Sequence, residues 1–181
     1  MAIRYAIMGL LSWRAFSGYE LRKFFSESAA LYWSGNSNQV YPTLVQLHKE
    51  GLVENEVRQR GGYPPSKVYS LTAAGEAALG EWVKADPVVP QLRNTFLTQL
   101  AWADRLDDDE LQSLLDRYGH EVRTKLLMQR ELIRRRPEEP ARTPREALLW
   151  GMIADHDCAL YEAELGWLQR LRTALAQGGV A

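Results

Sequence analysis

Between Ser37 and Thr72 a short amphipathic helix pattern runs directly into two β-type runs joined by a Gly-Gly-Tyr-Pro-Pro turn. Few folds accommodate that order. Val40, Leu44 and Leu47 fall at i, i+4 and i+7 and make the buried stripe of a helix over about residues 38–49. Gln39, Thr43 and Gln46 lie opposite, with Pro42 and Lys49 to one side. Proline is tolerated only where a helix N–H lacks an intrahelical partner, so Pro42 places the helix start near residues 38–39. Gly51 closes the helix as a C-terminal glycine, with Leu52 packing back. Residues 52–57 and 67–71 alternate as paired strands, and between them Arg58, Gln59 and Arg60 open a polar, basic tip. A helix with a readable polar face beside a basic hairpin is what a winged helix-turn-helix presents to duplex DNA.

The flanking segments complete such a domain. Residues 3–13 read as an apolar helix ending near Trp13-Arg14. Ser17-Gly18-Tyr19-Glu20 is a capping box, and the helix it opens turns Tyr19 or Leu21 inward with Phe24, Phe25 and Ser28, running toward Trp33. Ser34-Gly35-Asn36-Ser37 breaks it. Thr72 caps a helix through Trp82, and Asp86-Pro87-Val88-Val89-Pro90 is the one convincing linker. The expected domains are therefore 1–85, a winged helix-turn-helix of three to four helices plus a β-hairpin wing, and 91–178, an all-helical dimerisation domain. The fold class is mainly α.

Charge bears on how such a domain would hold DNA. The net charge is −1, but residues 1–84 carry nine Lys/Arg against seven Asp/Glu while the rest carries thirteen against sixteen. A few placed cations, not a uniform field, would make the contact. The single cysteine, Cys158, excludes an intramolecular disulfide and suits a reducing cytosol. The apolar run after Arg4 is short, is interrupted by Arg14 and lacks a small-x-small cleavage site, so it reads as a core helix and not a signal peptide. No segment is long enough to span a bilayer.

The second half reads as helices throughout. One is expected over residues 92–103, and another from Asp107-Asp108-Asp109-Glu110 to Arg135, stopped by Pro137 and Pro140. Thr143-Pro144-Arg145-Glu146 starts the last, which reaches Ala176 at roughly 50 Å. Ala147, Trp150, Ala154, Cys158, Tyr161, Leu165 and Leu168 make one apolar stripe on it. Leu149, Ile153, Leu160, Glu164 and Trp167 make a second, partly apolar one. A helix apolar on two sides packs against two things, and the second is expected to be another subunit, with Leu149, Ile153, Leu160 and Trp167 at the interface.

Gly9-Leu10-Leu11, Ser17-Gly18-Tyr19-Glu20-Leu21, Gln39-Val40-Tyr41-Pro42-Thr43-Leu44, Glu50-Gly51-Leu52-Val53 and Lys67-Val68-Tyr69-Ser70-Leu71-Thr72-Ala73-Ala74-Gly75 follow one another in the chain. Motifs in this order resemble the PadR family of bacterial transcriptional regulators. The length of the second half and Tyr161-Glu162-Ala163-Glu164-Leu165-Gly166-Trp167-Leu168 look like the larger C-terminal domain of the phenolic-acid-regulator type. The resemblance implies a homodimer on a palindromic operator, with repression relieved by a small molecule or partner. It also implies that the Tyr41 hydroxyl reaches the DNA backbone. Members often carry a basic pair before the Val-Tyr; here Ser66-Lys67 stands there, so wing affinity leans on Arg58 and Arg60.

The candidate DNA contacts are thus Asn36, Ser37, Asn38, Gln39, Tyr41, Pro42, Thr43, Gln46, Lys49, Arg58, Arg60 and Lys67. Gln pairs bidentately with adenine and Thr touches a thymine methyl; the alternative is a solvated helix face. Asn36, Ser37 and Asn38 lie where a helix N-terminus offers N–H groups to phosphate, or serve only as caps. Phe96, Trp102, Tyr118, Trp150 and Tyr161 are candidate walls for a small aromatic or lipophilic effector, against a plain role in core or dimer interface. His48, His120 and His156 are scattered, and no nucleophile elbow, phosphate loop or zinc spacing is present. No metal, cofactor or catalysis is expected. The rival readings are a winged protein-interaction module without DNA binding and an enzyme with a helical cofactor pocket.

Overall fold

A computed structural model describes residues 2–31, 37–59, 65–90, 94–135 and 141–178. The chain divides into two compact units, Met1–Val88 and Val89–Ala181.

In the first unit α1 (Ala2–Leu11) leads through β1 (Phe16–Ser17) into α2 (Gly18–Glu27). A 3₁₀ turn (Ser37–Gln39) opens α3 (Val40–Lys49), followed by β2 (Val53–Arg58), β3 (Ser66–Leu71) and α4 (Ala73–Lys84). Helix α1 stops at Leu11, two residues before the expected end, because the Ser12 hydroxyl donates to the Gly9 carbonyl and tightens the last turn. The capping box at α2 is present in full: the Glu20 amide donates to Ser17 Oγ (3.2 Å) and the Ser17 amide to Glu20 Oε2 (2.7 Å). Leu21 is the residue turned inward and Tyr19 faces solvent. Trp33 lies outside the described residues.

The three strands form an antiparallel sheet in the order β1-β3-β2, with Phe16 opposite Tyr69 and Val53 opposite Leu71. The end of α3 is joined firmly to the sheet and to α4. Gly51 has φ +72° and makes a left-handed cap, with the Gly51 amide donating to the His48 carbonyl and the Leu52 amide to that of Leu47. Thr72 Oγ1 donates to the Gly51 carbonyl (2.8 Å) and accepts from the Gly75 amide (3.1 Å). Gly75 is required by this joint, since a Cβ there would sit 2.2 Å from the Leu52 carbonyl oxygen. Ile7, Met8, Leu10, Leu21, Val40, Leu44, Leu47 and Val53 form the core, each at most 2% exposed.

The second unit comprises α5 (Thr95–Leu100), a 3₁₀ turn (Ala103–Arg105), α6 (Asp108–Arg135) and α7 (Pro144–Gln177). Helix α5 is shorter than the single helix expected over 92–103. Asn94 Oδ1 accepts from the Phe96 amide and caps it at Thr95, and the chain tightens into the 3₁₀ turn beyond Leu100. Helices α6 and α7 pack along each other, and Leu115 and Leu168 close with Phe96 into a small buried cluster. The two units differ in how much apolar material they enclose. Among the described residues fifteen hydrophobic side chains are buried in the first and seven in the second. None of the described helices is long and apolar enough to cross a membrane.

Candidate nucleic-acid interface

The α3 helix is held from three sides, by α1, α2 and β2, through Val40, Leu44 and Leu47. Its outward face is left bare: Tyr41, Pro42, Val45, Gln46, His48 and Lys49 are exposed, as are Asn38 and Gln39 in the preceding turn. Thr43 is half-buried. Pro42 is the third residue of α3, where its missing N–H would have had no intrahelical acceptor. Asn36 lies outside the described residues, and Ser37 is placed only as backbone of the 3₁₀ turn. Val45 and His48 were not among the sequence candidates.

Two of the expected contacts are engaged with carboxylates. Gln46 Nε2 donates to Glu50 Oε1 (2.8 Å), and Arg4 of α1 pairs with the other oxygen of the same carboxylate. The Gln46 hydrogen bond and then the Arg4 guanidinium hold Glu50 below its ordinary pKa, so the acceptor stays ionised at neutral pH. The Gln46 amide is thereby oriented, and its side-chain oxygen accepts no hydrogen bond from a described residue. On the wing, Arg58 pairs with Glu56, two residues back on the same strand face. Lys67, opposite Val57, is exposed and makes no ion pair with a described residue. Arg60 lies outside the described residues, so of the two arginines expected to carry wing affinity the one that is placed already has a carboxylate on it.

Tyr41 is 46% exposed, and its ring lies over Gly18 so closely that a Cβ at that position would fall 2.4 Å from Cε1. The N-terminus of α2 and the start of α3 are thereby seated on each other. Burial, and then the neighbouring Tyr41 phenol, raise the pKa of Tyr69.

The second unit does not gather its aromatics into one pocket. Phe96 and Tyr118 stack face to face with centroids 3.6 Å apart, and Trp167 meets Phe96 edge-on. These rings are closed on each other as core. Asn94 Nδ2 donates to the Tyr118 hydroxyl (3.1 Å), which donates to Glu164 Oε1 (2.5 Å). Burial, and then the Glu164 carboxylate accepting its proton, push the Tyr118 phenol up. Trp102 is 65% exposed in an open groove with Gln99, Leu106, Leu114 and Arg117 that none of the other four candidate rings lines. Trp150 and Tyr161 are half-buried on α7 and stand eleven residues, roughly 16 Å, apart along it. Leu149, Ile153 and Leu160 are 44–55% exposed, beside exposed Leu148 and Met152. Trp167, the fourth residue expected at the interface, is half-buried and meets Phe96 edge-on within its own unit.

Residues 7–81 match the Transcriptional regulator PadR-like family, and residues 92–176 match Virulence activator alpha C-term. The Negative transcriptional regulator PadR of Bacillus subtilis (strain 168) is 29% identical over 113 residues, 62% of either chain. The Probable transcriptional regulator Rv1176c of Mycobacterium tuberculosis is 34% identical over 90 residues, 50% of this chain and 47% of the other. The matched stretch thus spans less than two thirds of the length of these relatives. Among solved structures, Bacillus subtilis PadR in complex with operator DNA superposes with a TM-score of 0.77 at 22% identity, covering 94% of this chain and 97% of that one. The Vibrio cholerae virulence activator AphA gives 0.75 at 25% identity, covering 96% and 98%. Bacillus subtilis PadR in complex with p-coumaric acid gives 0.75 at 22% identity, covering 97% and 99%. These likenesses carry the winged-helix fold.

Proposed function

This chain belongs to the PadR family of transcriptional regulators, and from that footing we propose that it is a cytoplasmic, dimeric repressor of a palindromic operator, released by a small molecule. The family and the relatives are regulators and not enzymes. The observation that carries the DNA-binding reading is the bare outward face of α3, fully backed by a buried stripe and set beside the wing. In this reading α3 enters the major groove with Gln39, Pro42, Thr43, Gln46 and Lys49, while Asn36, Ser37, Asn38 and the Tyr41 hydroxyl take phosphates at its start. Arg58, Arg60 and Lys67 take phosphates along the wing, each contributing about 0.9 to the salt slope of binding. Bacillus subtilis PadR has been solved with operator DNA, which supports the same partner class for this chain.

Dimerisation is supported by the second unit, which leaves Leu148, Leu149, Met152, Ile153 and Leu160 in solvent along α7. A second copy would cover that ridge and seat two α3 helices one DNA turn, roughly 34 Å, apart. The effector is proposed as a flat aromatic molecule, in keeping with the p-coumaric acid complex of Bacillus subtilis PadR; Trp102 is the aromatic left open to it. Signal binding would alter the spacing or angle of the two α3 helices.

Selection from a random DNA pool with the full chain at two salt concentrations tests the core of this. An enriched inverted repeat with half-sites about one turn apart is expected. Failure to enrich any sequence would favour a winged protein-interaction module. The match of residues 92–176 to a virulence activator segment favours activation as a second reading. A reporter placed downstream of the selected site separates the two by the sign of its response.

A further inference from the structure

The outward row of α3 contains a residue that the polar-face description leaves unexplained. Pro42, Val45, Gln46 and Lys49 stand at i, i+3, i+4 and i+7 on one exposed face, and Val45 at its centre is 50% exposed. Its branched methyl groups have no core to join. The inward stripe of Val40, Leu44 and Leu47 is complete, each at most 1% exposed. Along with Pro42 and the edge of Tyr41, Val45 makes a short apolar ridge flanked by Gln46 and Lys49.

Single exposed valines are ordinary on a protein surface. This one stands in the middle of the surface that enters the groove, where an unmatched apolar group would strip water from base edges and return no hydrogen bond. The floor of the major groove offers one apolar group of matching size, the 5-methyl of thymine. Resting on the reading of α3 as the groove helix, we infer that Val45 packs against a thymine methyl in each half-site and makes thymine the preferred base there. Gln46 stands next to it, with one amide hydrogen held by Glu50 and its oxygen open, and reads an exocyclic amino group on an adjoining base. Apolar and polar readout then alternate along one turn of α3.

Deoxyuridine in place of thymidine deletes that methyl and leaves every hydrogen-bonding group intact. With the selected operator, each thymine of a half-site is replaced in turn, and affinities of the full-length protein and its Val45→Ala variant are compared. The expected result is one position at which uracil weakens the parent about fourfold per half-site, the burial value of one methyl. At that position Val45→Ala binds thymine and uracil alike. Equal discrimination by parent and variant, or no methyl-sensitive position on a site the parent binds specifically, would overturn the assignment and leave the groove reading standing. A parent that prefers no sequence at all would overturn both. Val45 is outside the core, so an unchanged melting temperature confirms that the variant is folded.

Discussion

Replacing Glu56 with glutamine should tighten DNA binding, although the proposed interface gives this side chain no DNA contact. Glu56 and Arg58 share a strand face, and the Arg58 guanidinium rests on the Glu56 carboxylate with the two side chains 51% and 57% exposed. An exposed pair of this kind contributes about 0.2–1 kcal/mol. Arg58 gives up that contribution when it turns to a phosphate. Without the carboxylate the loss disappears, which amounts to ~1.4- to 5-fold in affinity per half-site at 1.4 kcal/mol per decade. Two wings on one operator compound to about 2- to 25-fold. Fluorescence anisotropy with a labelled operator at several salt concentrations reads the change. The gain should be larger at low salt, where the pair is less screened. An Arg58→Ala background should remove most of it. Unchanged or weaker binding by Glu56→Gln, with an unaltered melting temperature, would refute the placement of Arg58 on the DNA backbone.

Three further perturbations test the framework behind that face. Gly75→Ala drives a Cβ to 2.2 Å from the Leu52 carbonyl and 2.6 Å from Leu71 Cδ1, so it should destabilise the first unit by about 1–3 kcal/mol; an unchanged thermal melt would show that α4 yields freely. Ser17→Ala removes the α2 cap at a cost of about 0.5–2 kcal/mol. Burial pushes the Glu20 carboxyl up, but the Ser17 amide and hydroxyl and the Arg14 guanidinium outweigh it and hold the pKa below 4.5. The carboxylate's share of the box is therefore complete above pH 4.5 and fades as pH falls through the lowered folded value, so urea melts should show the parent's advantage shrinking in acid. Leu149→Glu with Ile153→Glu alters side chains at least 44% exposed, so it should leave the protomer's own packing intact and halve the mass seen by sedimentation; a retained dimer would place the interface elsewhere.

Much of the first unit could be read from spacing alone. The stripe at Val40, Leu44 and Leu47, the Ser17 and Thr72 caps and the Gly51 stop are local signals, and local geometry fulfils them. Strand β1 was not legible, since two residues set no period and Phe16-Ser17 is a strand only because β3 lies opposite. The choice between Tyr19 and Leu21 depended on where the core sat, which a helical wheel does not state. On α7 two apolar stripes looked alike, and only the position of α5 and α6 shows that Glu164 and Trp167 turn toward Tyr118 and Phe96. Val45 carries no sequence signal, because periodicity marks the buried face and leaves an apolar residue on the other without a role. The pairing of Glu56 with Arg58 was within reach, since residues two apart on a strand share a face.

Among the described residues the second unit buries seven hydrophobic side chains where the first, of similar length, buries fifteen, while α7 holds a row of large apolar residues in solvent. If the partner copy covers that row, folding of this unit and assembly of the pair are one reaction, and its equilibrium depends on protein concentration. A newly made chain at low copy number would then spend more of its time open to proteases than the same chain in abundance. Dilution by cell growth would shorten the regulator's lifetime as well as its occupancy of DNA. The response of the target gene to the amount of regulator would then be steeper than a single binding isotherm allows.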